Sequence, residues 1–324
     1  MPFTVKIVER NLEVFLFIMG LTAAYFSNVL DNFLLMKALE DPLYITLTVL
    51  IAGLFFRWLQ NPIEKGIIRT KNVLPFRLFL ALVVIILGII SSIITAIIAA
   101  IVLVAVVSVL RLDRKSEIRL VILACFSIGM GAALTPIGEP LSTIVTSKLN
   151  EDFYYLFQLI GMDIIPAILI FGILAAILIT PLKISNRLPP KLKTESYAEI
   201  LIRSIKIYIF VMALTLLGAG FEPFIKEYLL GLSPLVLYWI NMISAVLDNA
   251  TLAAAEISPD MDRPTIKAIL LGLLISGGML IPGNIPNIIA AGKLNITSLE
   301  WARFGVPIGL ITMVVYFIMM LTIG

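Results

Sequence analysis

The amino-acid sequence predicts an all-α polytopic membrane protein, an inverted-repeat transporter with two re-entrant hairpins and two broken helices. Composition is the first observation behind this. Of the 324 residues 60% are hydrophobic and 14% charged, with a mean hydropathy of +1.07, a balance for which a soluble core has no use. Residues 78–110 carry no charge, a run that needs a bilayer or a fully protein-buried bundle. The second observation is a motif that occurs twice. Gly131-Ala132-Ala133-Leu134-Thr135-Pro136-Ile137-Gly138-Glu139-Pro140 continues through Ser142 and Thr143 to Lys148-Leu149-Asn150. Gly277-Gly278-Met279-Leu280-Ile281-Pro282-Gly283-Asn284-Ile285-Pro286 continues through Asn287 to Lys293-Leu294-Asn295, its tail shifted by one residue. Gly and Pro placed this way break a helix in mid-membrane, and lipid tolerates the unsatisfied backbone only where the break lines a polar cavity. Two such breaks in corresponding halves point to the binding site of a secondary transporter.

Cut at charges and prolines, the chain gives helices over 12–39 and 43–59, then a polar interfacial stretch over 60–73. Residues 75–112, with small residues at 88–92, form the first hairpin. The first broken helix covers 117–148 and a further helix 153–182. After a charged linker the pattern repeats: a helix over 200–218, an interfacial stretch over 221–233, and a hairpin over 234–257, too short for two crossings at about 1.5 Å per residue. The second broken helix covers 264–291 and the last helix 299–322. Smaller echoes support the repeat. Asn61-Pro62-Ile63-Glu64-Lys65 matches Glu222-Pro223-Phe224-Ile225-Lys226, and Ile90-Ser91-Ser92-Ile93-Ile94 aligns with Ile243-Ser244-Ala245-Val246-Leu247. The domains expected are an N-terminal transmembrane helix (1–40), repeat 1 (41–183), a cytoplasmic linker (184–199) and an inverted repeat 2 (200–324).

Basic residues set the orientation. With a cytoplasmic N-terminus, the loops at 57–77, 111–119 and 183–206 are cytoplasmic and hold most of the Lys and Arg, while those around Glu40-Asp41, Glu151-Asp152 and 260–263 are poor in base. The C-terminus is then external, and the protein a multi-pass component of a prokaryotic cell membrane. The start of the chain lacks the small-residue cleavage site of a signal peptide. A net charge of +3 implies no nucleic-acid partner, and the single Cys125, in an apolar segment, excludes a disulfide framework. With no histidine, proton chemistry runs through carboxylates and a His-rich metal centre is excluded.

Asp248, within Ser244-Ala245-Val246-Leu247-Asp248-Asn249-Ala250-Thr251, has no Lys or Arg within a helical turn. A carboxylate at membrane depth is costly unless protonated, paired or hydrated, and marks a functional site by default. Ionised, Asp248 is a hard oxygen ligand to which Asn249, Thr251 and Ser244 add neutral oxygens, a sodium-like donor set; the bland reading is a cap on the second hairpin leg. Glu139 opens a half-helix, where it is either a charged cap favoured by the helix dipole or a second carboxylate facing Asp248. Its motif counterpart is Ile285, with Asn284 and Asn287 beside it. Ser91, Ser92, Thr95, Thr135, Gly138 and Ser142 are further cavity-lining candidates. Asp31-Asn32 echoes the Asp248 motif outside the repeat frame and lies either at the cavity or near the outer interface. Lys148 and Lys293 snorkel to the interface, or hold an anion.

Thr135-Pro136-Ile137-Gly138-Glu139-Pro140-Leu141 resembles the Thr-Pro-Leu-Gly-Asp-Pro-Pro-type motif of NhaD-type sodium/proton antiporters. Ser244-Ala245-Val246-Leu247-Asp248-Asn249-Ala250-Thr251 is similar to the Ser-Ala-x-x-Asp-Asn-Val-type hairpin motif of the wider ion transporter superfamily, and the chain looks closest to one of its small prokaryotic families. The resemblance implies a homodimer in which a transport domain of hairpins and broken helices moves against a scaffold, elevator fashion. The first hairpin departs from the pattern, offering Ser91, Ser92 and Thr95 where a second charged motif would stand. The leading expectation is a cation/proton antiporter, most plausibly for sodium, with Asp248 and Glu139 as sodium-like ligands and no cofactor beyond the transported ion. Its partners are then the lipid bilayer and a small inorganic ion. The alternative is a sodium- or proton-coupled transporter of a carboxylate or oxyanion, held at the half-helix N-termini near Pro140 and Pro286 by Ser142, Thr143 and Asn287. An enzyme is disfavoured, since there is no nucleophile–base arrangement.

Overall fold

Why the chain suits a bilayer is visible on its long helices. In the computed structural model, which describes residues 12–110, 112–180, 196–228, 232–247 and 249–323, the described residues form helices and no strand. Among the described residues, four segments are long and apolar enough to cross a membrane: Phe76–Ile94, Tyr155–Leu178, Tyr197–Phe224 and Ser298–Thr322. The helix Tyr155–Leu178 buries Ile164, Ile168, Phe171 and Ala175 on one side and exposes Leu169, Ile170, Ile173 and Ile177 on the other. Apolar outside as well as inside, it is built to meet lipid rather than water. These features fit a polytopic membrane protein.

The elements in order are α1 (Leu12–Phe26), α2 (Asn32–Val73), α3 (Phe76–Ile94), α4 (Ala96–Leu110), α5 (Arg114–Ala132), α6 (Pro140–Leu149) and α7 (Tyr155–Leu178). Then follow α8 (Tyr197–Tyr228), α9 (Pro234–Ile240) with a 3-10 turn Asn241–Ala245, α10 (Asn249–Glu256), α11 (Arg263–Gly277), a 3-10 turn Ile281–Gly283, α12 (Ile285–Leu294) and α13 (Ser298–Ile323). Local chemistry sets the boundaries that matter. Asp113 caps α5 by accepting from the Ser116 N–H at 3.1 Å, and Asp262 caps α11 by accepting from the Thr265 N–H at 3.1 Å. Asn150 and Asn295 close α6 and α12 in left-handed conformations, φ 53° and 52°. The core runs along α3, α5, α7 and α11. Phe126 stacks on Phe171 at 5.3 Å, and the fully buried Trp301 donates to Gly278 O at 3.1 Å.

Several expected boundaries move. The apolar run over 12–39 is not one helix: Asn28 turns left-handed at φ 53°, and Asp31 restarts the chain as N-cap of α2, accepting from the Leu34 N–H at 2.7 Å. The stretches expected as a helix over 43–59 and an interfacial segment over 60–73 belong to that one 42-residue helix. Likewise 200–218 and 221–233 are largely joined in α8, since Glu, Lys and Leu are strong helix formers whatever their polarity. The expected first hairpin, whose tip the sequence puts near residues 91–95, breaks at Thr95, φ 75°, while the small residues 88–92 stay within α3. Both motif-bearing helices break as expected, α5 from α6 and α11 from α12. Most of the linker 184–199 lies outside the described residues, as do Asp248 and the side chain of Thr251.

Candidate functional site

The first break is a knot of backbone and hydroxyl contacts. Between α5 and α6 the chain turns sharply at Gly138, where a Cβ would lie 1.9 Å from Ala132 O. The Gly138 carbonyl accepts from the Ala96 N–H at 2.9 Å, and Thr135 Oγ1 donates to Ser92 O, so the two breaks of the first half are tied together. Ser91, fully buried, donates to Ile128 O at 3.0 Å and Gly88 O at 2.7 Å. Ser92 donates to Ile89 O at 2.7 Å, Ser142 reaches Ala132 O at 3.5 Å, and Thr143 donates to Pro136 O at 2.6 Å. The hydroxyls expected to line a cavity thus hold the break in shape. Glu139 is the N-cap of α6 in an extended conformation, only 6% exposed, and its carboxylate makes no capping bond to the helix.

The second break repeats these contacts with changed side chains. Ser244 donates to Leu273 O at 3.0 Å, as Ser91 does to Ile128 O. Gly131 lies so close to Gly88 that a Cβ would sit 1.8 Å from its carbonyl; at the matching place Ser276 Oγ donates to Asn241 O at 2.7 Å. Asn287 Nδ2 donates to Gly277 O at 2.8 Å and Leu280 O at 2.9 Å. In this frame Gly138 matches Gly283, Ser142 matches Asn287, and Glu139 matches the N-cap Asn284 rather than Ile285. The same offset runs unchanged from Ile128 and Leu273 to Asn150 and Asn295, so the tails are in register, the prolines stand one residue apart, and both half-helices open on a buried polar side chain.

Around Gly277 and Gly283 buried polar atoms converge. A Cβ on Gly277 would lie 3.6 Å from Ser244 Oγ and 3.7 Å from Asn249 Nδ2, and one on Gly283 would lie 2.7 Å from Ser244 O. Because two carbonyls fix the Asn287 amide nitrogen, its Oδ1 faces away from them, and among the described residues that buried oxygen has no hydrogen-bond donor. Asn249 Nδ2 is likewise buried without an acceptor. Such groups are expensive to bury and suit a bound polar guest. Among the described residues no three acidic or thiol side chains meet as a metal cluster.

The two breaks interlock crosswise. Ile97 and Ala100 of α4 pack with Ile285 and Ile289 of α12, while Lys148 at the end of α6 donates to Ala254 O in α10 at 2.5 Å. The backbone of α5 at Gly129 comes close against Asn284, whose Nδ2 would lie 2.5 Å from an added Cβ. Ends meet as well. Arg114, at the start of α5, donates to Asn295 O and Leu294 O at the close of α12, at 2.7 and 3.0 Å, and grips Glu300 of α13 at 2.8 and 2.9 Å. At the start of α11, Arg263 lies over the ring of Tyr155, five residues beyond the close of α6.

Asp31 and Asn32 do not join these breaks. Both are exposed, and the turn before them is fastened to α8 by Ser27 Oγ donating to Gly220 O at 2.6 Å. Asp31 is a helix cap. Two residues that the sequence reading passed over are buried nearby: Asn241, fully buried in the 3-10 turn, donates through Nδ2 to Glu256 Oε2 at 2.9 Å, and Glu256 is 1% exposed. The signal for Asn241 was its place three residues before Ser244. Glu256, next to a loop, carried none.

A family model described as a protein of unknown function (DUF1646) matches residues 1–323, and the chain belongs to that family. No curated protein matches it.

Proposed function

We propose that this protein is a secondary active transporter, a cation/proton antiporter selective for sodium, with the Asp248 segment as the shared site for cation and proton. The observation that carries the reading is Asn287, next to the break that Ser244 and Asn249 also border: its amide nitrogen is committed to Gly277 O and Leu280 O, and its buried Oδ1 is left without a donor among the described residues. Asp248 adjoins Asn249 in the chain, so a carboxylate and neutral oxygens come from one stretch, the donor set a small hard cation requires.

The inverted repeat with re-entrant hairpins is part of this proposal. It is supported by the start of α5 meeting the close of α12, and the start of α11 lying beside the segment that follows α6, as two broken helices running in opposite senses would. The resemblance to the ion transporter superfamily adds the homodimer and the elevator movement. The test is transport in proteoliposomes with an internal pH dye, adding sodium, lithium, potassium, calcium and a panel of anions in turn. A sodium-evoked pH change with no anion requirement is expected.

One observation favours the alternative, coupled transport of a carboxylate or oxyanion: the buried Asn249 Nδ2 is a donor, and donors suit anions. Against it stands Glu139, a buried carboxylate at the N-terminus of α6, where the anion would bind. Sodium-driven uptake of a labelled carboxylate, with no cation-evoked pH change, would select this reading and reject antiport.

A further inference from the structure

We propose that Glu256 and Asn241 form a proton-binding site of their own, in which Glu256 is held as the neutral acid. This goes beyond the transport reading, since it concerns a protonation state and holds whether or not the protein moves sodium. Glu256 closes α10 and is 1% exposed, while Asn241 is fully buried. Asn241 Nδ2 donates to Glu256 Oε2 at 2.9 Å, leaving two buried acceptors, Glu256 Oε1 and Asn241 Oδ1, with no donor among the described residues.

An ionised carboxylate sealed from water with one neutral donor is a poor arrangement, and such a group neutralises instead. A proton on Oε1 removes the charge and turns one of the two orphan acceptors into a donor. Asn241 is held to receive it. Its backbone carbonyl accepts from Ser276 Oγ at 2.7 Å, and Gly272 has no Cβ, which would come within 3.1 Å of Asn241 Cβ.

Among the described side chains, charged groups on the neighbouring elements are engaged elsewhere. From α6, Lys148 Nζ donates to Ala254 O at 2.5 Å. From α11, Lys267 pairs with Asp163 at 2.8 Å, Asp262 caps its own helix, and Arg263 lies over Tyr155. From α8, Lys206 pairs with Glu13 at 2.8 Å, and Glu222 and Glu227 add only like charge. The 3-10 turn carries no charged residue.

Infrared spectroscopy of the purified full chain tests this. At about pH 6, well above the roughly 4.3 of a free glutamate, the difference between wild type and Glu256→Gln should contain the carbonyl band of one protonated carboxylic acid. Asn241→Ala removes a donor that favours the anion, so the band should survive to higher pH in that variant. If Glu256→Gln does not fold, 13C-glutamate labelling shows whether the acid band of the wild type belongs to a glutamate, and a shift of that band in Asn241→Ala ties it to Glu256. A difference spectrum without an acid band at about pH 6, or a band already lost by about pH 5, as for an ordinary carboxyl, overturns the proposal. Failure of sodium transport in proteoliposomes would sink the antiporter reading and leave this result untouched.

Discussion

The backbone N–H of Ala96 donates to the Gly138 carbonyl at 2.9 Å, which makes the break after α3 and the break after α5 one hydrogen-bonded unit. Thr95, the residue before it, sits at φ 75°, an unfavourable region for a β-branched side chain. Such strain persists only where the surroundings over-determine it. Here the constraint is the Ala96–Gly138 bond together with the bond from Thr135 to Ser92 O.

Gly138→Ala should therefore be severely destabilising, by about 3 kcal/mol or more, because its Cβ would lie 1.9 Å from Ala132 O and the backbone there has no free direction to yield. Gly161→Ala in α7 is the control. Its Cβ meets only the Phe157 ring at 3.6 Å, and replacing a helical glycine gains about 0.5–1 kcal/mol. Thermal unfolding in detergent should separate the two in opposite directions, and a Gly138→Ala protein as stable as wild type would show that the break is not tightly closed.

Much of this unit was legible before the structure, for a physical reason. Gly, Pro and Asn act on the backbone locally, so the doubled motif located both breaks, and the left-handed Asn150 and Asn295 fall where Lys-Leu-Asn ends. What composition hid was tertiary. Residues 60–73 are polar enough to read as an interface yet continue α2, and the turn at Asn28 lies inside a largely apolar stretch with no proline to mark it. Pairing the motifs by their prolines set Glu139 against Ile285. The caps set it against Asn284, because the prolines of the second motif stand one position later: Pro140 is the first residue of α6 and Pro286 the second of α12. Glu256 lies near the end of the expected hairpin 234–257 with no motif around it, and only the fold shows it buried against Asn241.

Asn287→Leu should cost about 1–3 kcal/mol, since Gly277 O and Leu280 O would each lose their side-chain donor in a buried place. Apparent sodium affinity should fall at least about tenfold with it, equivalent to about 1.4 kcal/mol of lost coordination. Sodium-dependent heat in titration calorimetry reads the second effect apart from the first. Unchanged affinity in a folded Asn287→Leu protein would remove this oxygen from the site.

Asp248→Asn should abolish cation/proton exchange while leaving a folded, membrane-inserted protein, because it removes the titratable charge and keeps size and hydrogen bonding. Exchange at the wild-type rate in that variant would make Asp248 structural. Glu139→Gln should act more mildly, shifting cation affinity or the pH profile of transport; if neither moves, Glu139 is only the cap of α6.

Acid should weaken the start of α5. Hydrogen bonds from Ser116 hold the Asp113 carboxyl below its usual range. A depressed folded-state pKa gives stability that is fully present above the unfolded value of about 4 and is lost as pH falls through the folded value. Asp113→Ala should thus lose about 1 kcal/mol near neutrality, and its deficit relative to wild type should shrink below about pH 4. Asp113→Asn, which caps without ionising, should lack that acid-dependent component. Unfolding temperatures of the three proteins from about pH 7 down to about pH 3 decide this, and a constant Asp113→Ala deficit across that range would exclude the charged cap.

The last expectation concerns which ends of the broken helices share a face of the membrane. Arg114 joins the start of α5 to Asn295 at the close of α12 and to Glu300, so Lys115 and Asn295 should face the same compartment. Arg263 lies over Tyr155, so the loop before α11 and the one after α6 should face the other. The loop that holds Lys115 is rich in base and the one that holds Asp260 is not, which assigns the first side to the cytoplasm. Single cysteines at Lys115, Asn295, Glu151 and Asp260, all at exposed positions, can be tested with a membrane-impermeant maleimide in whole cells. The native Cys125 is 1% exposed and should contribute little background. Labelling of Glu151→Cys and Asp260→Cys in intact cells, with Lys115→Cys and Asn295→Cys reached only after permeabilisation, is the expected pattern. If Lys115→Cys and Asn295→Cys label from opposite sides, the two broken helices do not run in opposite senses, and an alternating-access mechanism built on an inverted pair loses its basis.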